Sequence, residues 1–328
     1  MNASIAFPIR FCPVYQTYLW GGTHLKTRLG RTGAPEGIVA ESWEISDRDD
    51  GMGIVAEGPL QGKTFRELME THCRAILGPR GKSERFPLLI KVLDAAQTLS
   101  VQVHPNDRTA LEFGGEAKTE MWYVLEAEPD AVVYCGLKEG VTPEAFRAAI
   151  EANTLDQWMK TIPVKAGDAL FVPGGRVHAI GAGCLLLEVQ QNSNTTYRIY
   201  DWGRVGADGK GRELHIDKAM EVTLWNDPDS ALTPPQPLEP FCGLAREKIM
   251  ESPYFRLESL HVPGASMLQF DGQSFQVLFA VNHGFSVTGN GECVQVPKGA
   301  SVLLPAVLRD VEILPDTAEA RIMRVCLP

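Results

Sequence analysis

The sequence predicts a mainly β protein made of two jelly-roll units, with helical insertions in the first. Three observations carry that prediction. Most of the chain divides into short apolar stretches bounded by Gly, Pro and Asp, at a spacing that suits a β-sandwich or barrel rather than βαβ units. Several stretches alternate apolar and polar residues, the period of a half-buried strand. A late segment, VPKGASVLLPA (Val296–Ala306), echoes an earlier one, VKAGDALFVPG (Val164–Gly174), with a glycine, an apolar strand and a proline in each.

The elements follow in order. Strands are predicted at Pro87–Leu93, Leu99–His104, Met121–Leu125, Ala131–Cys135, Ala169–Val172 and Cys184–Gln190. Three stretches read as helices. Phe65–Leu77 starts behind a capping box of Thr64 and Glu67 and stops at Gly78-Pro79. A second starts near Pro143, a residue pre-shaped for a first helical turn behind Thr142, with Phe146, Ala149 and Ile150 on its apolar stripe. The third runs from His215 to about Leu224. NDPDSALTPPQPLE (Asn226–Glu239) is rich in Pro and Asp and is expected to link a unit of residues 1–230 to one of 240–328. The β block of the second unit is expected over Phe255–Val325. It has no histidine at the equivalent of His178, near which Leu308 and Arg309 lie, so it is expected to bind no metal.

Bulk properties bound the function. The 328 residues are 44% hydrophobic, as in soluble globular proteins. No run of 18 apolar residues suggests a membrane span, and the N-terminal stretch does not read as a signal peptide. A net charge of -10 argues against nucleic acid as partner. It leaves room for an anionic small substrate, because one local group of Lys and Arg can hold a phosphate. The seven cysteines form no CxxC pair, which fits reduced thiols in a cytoplasmic protein.

The chemistry concentrates in three segments. In LSVQVHPND (Leu99–Asp107), Gln102 and His104 stand two apart on a strand and share a face, with Val101 and Val103 on the other. In KTEMWYVL (Lys118–Leu125), Glu120 opens a strand. In GDALFVPGGRVH (Gly167–His178), a strand ends in a tight turn that delivers His178 at the start of another. Two imidazoles and one carboxylate, with positions left open for substrate, suit a catalytic Zn²⁺ site. His24, His72, His215, His261 and His283 have no such setting and are expected to be structural or exposed.

At this point the chain resembles the type I mannose-6-phosphate isomerases, also called phosphomannose isomerases, in their short bacterial form within the cupin superfamily. The motifs that carry the resemblance are LSVQVHPND, KTEMWYVL, VPGGRVHAIG and QQNSNTTYRIYDWGR. YLWGG (Tyr18–Gly22), AESWEIS (Ala40–Ser46) and FPLLIKVLDA (Phe86–Ala95) support it. One departure is Ala117, where a glycine is expected before Lys118. The resemblance implies a pair of cupin jelly rolls and one Zn²⁺ per chain, held by His104, Glu120 and His178 with Gln102 as a fourth ligand. It implies that Arg198 is the catalytic arginine. It also implies an enzyme that interconverts mannose 6-phosphate and fructose 6-phosphate through an enediol(ate). A monomer or weak homodimer is expected, an expectation that no motif in the sequence carries.

That reaction needs an oxyanion stabiliser and a base. Arg198 keeps its proton in practice, so it suits the first role. For the base, Glu188 in LLLEVQQ and Lys118 compete. Glu188 would sit opposite Leu185, Leu187 and Val189 on its strand, partly desolvated, with a raised pKa. Lys118 could grip the phosphate, carry the proton, or do both. Ser100 could help to hold the phosphate, and Trp20, Glu41 and Glu44 could line the pocket. Lys91, in an apolar strand, is expected to be paired inside. Two other readings keep the fold: an Fe(II) cupin dioxygenase, and a non-catalytic sugar-phosphate-binding cupin.

Overall fold

A computed structural model describes residues 5–205 and 209–328, which form four antiparallel sheets of four to six strands and a two-stranded ribbon. The first six-stranded sheet has the order Ala169–Val172, Glu120–Ala127, Cys184–Gln191, Leu88–Ala95, Glu41–Ile45, Val14–Gln16. It packs on a five-stranded sheet ordered Tyr197–Tyr200, Val101–Val103, His178–Ile180, Val132–Leu137, Met159–Pro163. Trp122, Leu93 and Leu186 of the first meet Val133, Cys135 and Ile180 of the second in one buried core.

The later part of the chain repeats this plan. A six-stranded sheet runs Ser301–Leu304, Gln276–Ala280, Ala320–Cys326, Arg256–Val262, Leu244–Glu251, Gln236–Phe241. A four-stranded sheet covers it, and Leu260, Leu278 and Ile322 pack there against Phe285, Val287 and Ile313. The two strands that echo each other in sequence stand at the same edge of the two large sheets.

The two six-stranded sheets share a third core. Met121, Tyr123, Ile90 and Val189 meet Leu257, Val277, Phe279 and Val325 in one cluster, with Phe65, Leu68 and Ile76 of the Phe65–Leu77 helix. A run of phenylalanine rings crosses it: Phe11 to Phe65 at 4.5 Å, Phe65 to Phe86 at 4.9 Å, Phe86 to Phe275 at 4.4 Å. Each large sheet is therefore covered on both faces. That explains why FPLLIKVLDA and CLLLEVQQ read as almost unbroken apolar runs.

The Phe65–Leu77 helix forms with the capping box expected of Thr64 and Glu67 and ends at Gly78, whose φ of 72° suits glycine. The other two expected helices are Pro143–Glu151 and Ile216–Val222. Asp107–Phe113 is a helix that the sequence reading passes over. Its cap is Asn106, paired with Thr109 rather than with Glu or Gln. The linker reading needs correction at its end. The strand Gln236–Phe241 begins inside it, and Leu244–Glu251 follows before Phe255. Pro237 and Pro240 hid the first of these strands, but it lies at a sheet edge, where proline is tolerated.

Because the Phe86 ring touches rings from both units, Phe86→Ala should lower stability by about 3–5 kcal/mol. Denaturant unfolding followed by tryptophan fluorescence checks this, and a loss below 1 kcal/mol would show that the shared core is not tightly packed.

Candidate metal centre

The centre is assembled from four strands and one turn. Gln102 lies between two neighbours in register, His178 on one side and Arg198 on the other, so the three side chains stand in a row across the five-stranded sheet. His104 follows at the end of the Val101–Val103 strand. The turn from Pro173 to Val177 folds back on it, and the Gly175 N–H donates to the His104 carbonyl at 2.7 Å. A side chain at Gly174 would meet the Asn106 backbone at 2.7 Å, and Gly175 has φ +99°, so both glycines are needed for this approach. Glu120 opens its strand in the facing sheet.

His104, Glu120 and His178 each offer one donor atom within 4.8 Å of the others, the only such group among the described residues. All three are buried. Each imidazole is oriented by its Nδ1, which lies 2.8 Å from a carbonyl: Thr195 for His104, Arg176 for His178. A carbonyl only accepts, so Nδ1 carries the proton and the Nε2 lone pair points into the centre. The His104 Nε2 is 3.6 Å from Glu120 Oε2, and the His178 Nε2 is 3.4 Å from Oε1. The Gln102 amide stands 3.3 Å from the His178 Nε2.

Electrostatics agree with a cation site. Burial holds His104 well below the usual histidine range and takes His178 down to about 3, which favours neutral rings, the form that can bind a metal. Burial, and then the charge of Glu188, pushes Glu120 up. Lys118 Nζ is 2.7 Å from Glu120 Oε2 and 3.2 Å from the His104 Nε2. The contact is close but poorly directed, and neither Glu120 oxygen accepts a well-formed hydrogen bond. Two orphaned, fully buried carboxylate oxygens facing two imidazole lone pairs fit a divalent metal.

A cavity of about 310 Å³ opens beside this group. Trp20, Glu41, Ser100, Gln102, Lys118, Glu188 and Arg198 all line it. Glu44 does not. It faces the other side of its strand, 2.7 Å from Arg31 and 2.6 Å from the Ser42 hydroxyl, because residues 41 and 44 differ in parity. Lys91 is paired as expected, bridging Glu41 at 3.3 Å and Glu188 at 3.5 Å. Burial would strip its proton, but the charges of Glu41, Glu188 and Glu120 outweigh burial and keep it charged.

Glu188 departs from expectation. Burial does raise its pKa, but Lys118, Lys91 and the Trp122 indole N–H, 3.1 Å away, overcome that and hold it below the ordinary carboxylate range. The sequence shows the carboxylate but not the two lysines that surround it. Sequence reasoning also passes over Tyr18, Asn194, Thr196 and Arg212, which complete the wall. Tyr18 and Thr196 lie in quoted motifs. Arg212 is held in place by Asp201 at 2.7 Å. Arg198 donates from Nε to the Ser100 hydroxyl at 3.3 Å and from Nη1 to the Glu213 carbonyl at 3.0 Å. A larger cleft of about 850 Å³, near Arg80, Phe86 and Tyr254, contains none of the expected site residues.

Comparison with known proteins points the same way. The family described as phosphomannose isomerase type I, catalytic domain, matches residues 9–133. The chain is 38% identical to mannose-6-phosphate isomerase ManA of Bacillus subtilis over 310 residues, 93% of this chain and 95% of that one. It is 36% identical to mannose-6-phosphate isomerase of Streptococcus mutans over 303 residues, 90% of this chain and 93% of that one. Among solved structures, mannose 6-phosphate isomerase from Bacillus subtilis superposes with a TM-score of 0.88 at 30% identity, covering 97% of this chain and 99% of its own. A Salmonella typhimurium mannose 6-phosphate isomerase bound with zinc and yttrium gives 0.74 at 16% identity, over 98% and 99% of the two chains, which shows shared fold alone.

His104→Ala and His178→Ala should each lose bound divalent metal, while His215→Ala keeps it. His215 instead accepts the Arg198 backbone N–H at 3.2 Å, outside the centre. Elemental analysis of the purified variants decides, and metal retained by either of the first two would remove that histidine from the centre.

Proposed function

The chain belongs to the type I mannose-6-phosphate isomerases and interconverts mannose 6-phosphate and fructose 6-phosphate; from that premise we propose how its own residues divide the reaction. The relatives that match most of the chain are isomerases, which favours neither a dioxygenase nor a non-catalytic cupin. His104, Glu120 and His178, with Gln102 beside them, hold one Zn²⁺. The observation that carries this is the pair of unsatisfied Glu120 oxygens facing two oriented Nε2 atoms. Neutral imidazoles with a carboxylate suit Zn²⁺ by ligand type. The metal, when bound, supplies Lewis-acid polarisation of the substrate oxygens on C1 and C2.

Glu188 moves the proton between C2 and C1. One of its oxygens is held by Trp122 and the other, Oε1, accepts no hydrogen bond. The lysines that depress its pKa keep the carboxylate ionised, the form that can take a proton, while making it a weaker base. Lys91, bridged between Glu188 and Glu41, holds the carboxylate in position. Lys118 lies against Glu120 and His104, at the metal end of the cavity. It therefore balances negative charge there rather than gripping a distant phosphate. Arg198, in register with Gln102, stabilises the enediolate oxygen with a fork steadied by Ser100. Arg212 is the cation left for the phosphate, with the Ser100 hydroxyl near it on the wall. Trp20, Leu93 and Leu99 form the apolar side and keep water from the reacting carbons.

An assay that converts fructose 6-phosphate onward tests the whole reading. Turnover of mannose 6-phosphate should disappear on strong chelation and return with Zn²⁺, and full activity in metal-free protein would refute the metal assignment. Arg198→Lys should retain fold and metal but lose turnover by about two orders of magnitude, since lysine keeps the charge without the planar fork. Near-normal turnover would take Arg198 out of the mechanism. Glu188→Gln should still bind metal yet stop exchange of the substrate C2 proton with solvent, read by NMR in heavy water. Continued exchange in that variant would pass the base role to Lys118.

A further inference from the structure

The six-stranded sheet of the second β unit repeats that of the first strand for strand, so register shows which of its residues stand where the cavity residues stand. Val172-Pro173 corresponds to Leu304-Pro305. Val172 pairs with Glu120 and Leu304 with Gln276, which makes Gln276 the counterpart of Glu120. Next along, Trp122 pairs with Glu188, and Leu278 pairs with Arg324. Glu188 then pairs with Lys91, and Arg324 with Glu258. Leu93 pairs with Glu41, and its counterpart Leu260 pairs with Arg246. The triad Glu41–Lys91–Glu188 thus becomes Arg246–Glu258–Arg324, in the same three positions with every charge reversed.

The ion pairing survives the reversal. Glu258 is 2% exposed and lies 3.4 Å from Arg246 and 3.0 Å from Arg324. Arg324 also donates from Nε to the Gln276 side-chain amide oxygen Oε1 at 2.7 Å and stacks over Phe241, 4.5 Å from the ring centre. A cavity of about 260 Å³ opens here, and Arg80 and Arg256 join Arg246 and Arg324 on its wall. Against these four arginines stand Glu258, Glu251 on Arg256, and Asp271 at 4.0 Å from Arg80, which leaves an excess of one positive charge. The first unit's triad has the opposite balance, with Glu41 and Glu188 against Lys91, while Arg198 and Arg212 bring positive charge to the rest of that cavity. A guanidinium has five N–H donors, and the contacts of Arg246, Arg256 and Arg324 engage two nitrogens of each, so N–H capacity remains.

We propose that the second β unit contains a binding site for a phosphoryl dianion, as free phosphate or a small phosphate ester, at the position that corresponds to the metal centre of the first. The reversed triad converts a place suited to a cation into one suited to an anion. Arginine forks match phosphate oxygens two at a time. Phe241 and Phe270 wall the cavity and exclude water from one side.

The test is calorimetric titration of the metal-loaded protein with inorganic phosphate, in three forms. Arg80→Gln with Arg256→Gln changes only partly exposed side chains, 39% and 34% accessible, so the fold should hold. This double variant should weaken binding of one phosphate by about tenfold or more while leaving kcat and KM for mannose 6-phosphate unchanged. Arg198→Gln with Arg212→Gln, in the other cavity, should leave that binding intact. The proposal is overturned if the first double variant leaves the number of phosphates bound and their affinity unchanged, or if no phosphate binding remains in the second double variant. Repeating the titration with fructose 6-phosphate in the second double variant separates the two ligand sources. Binding that Arg80→Gln and Arg256→Gln then abolish assigns the ester, and binding of phosphate alone assigns the free ion.

Discussion

Buried charge is the constraint on which the site depends. Glu120, Glu188, Lys91 and Lys118 all lie within or beside a sheet that is covered on both faces, and each is at most 5% exposed. Such groups cannot stay charged alone. Lys91 answers Glu41 and Glu188, and Lys118 stands against Glu120. What remains unsatisfied is one oxygen of Glu188 and both of Glu120. The first belongs to a carboxylate on the wall of the cavity. The others face the two imidazoles of the candidate metal centre. The ion-pair network therefore both tolerates burial and leaves acceptor capacity where the chemistry requires it.

The stacking of the two large sheets makes that burial possible. A jelly roll with one face in water would let solvent reach the strands Leu88–Ala95 and Cys184–Gln191. Here the second unit and the Phe65–Leu77 helix seal the outer face, with the phenylalanine run at the seam. The second unit thus supports the centre without contributing a ligand to it. Among the described residues no helix is long and apolar enough to cross a membrane, and all seven cysteines are unpaired thiols.

Much of the fold was legible because periodicity is local. The capping box at Thr64 and Glu67, the turn before His178 and the alternation around Glu188 depend on neighbours within a few residues, and each formed as read. The strand Gln236–Phe241 was hidden because its prolines are acceptable only at an edge, and edge position is not a local property. Glu44 was misplaced because two carboxylates three residues apart look equivalent in a motif but point to opposite faces of a strand.

The β class, the three main helices and the residue types able to bind a metal could be read from the sequence alone, since these follow from spacing along one chain. The electrostatics came only with the folded arrangement. Whether Glu188 titrates high or low depends on Lys118 and Lys91, which lie 70 and 97 positions away by numbering, Lys91 on the neighbouring strand and Lys118 just before the Glu120–Ala127 strand. The reversed charges of Arg246, Glu258 and Arg324 likewise acquire meaning only in register, because Coulomb interaction depends on distance in space, and pairing across a sheet sets that distance independently of separation along the chain.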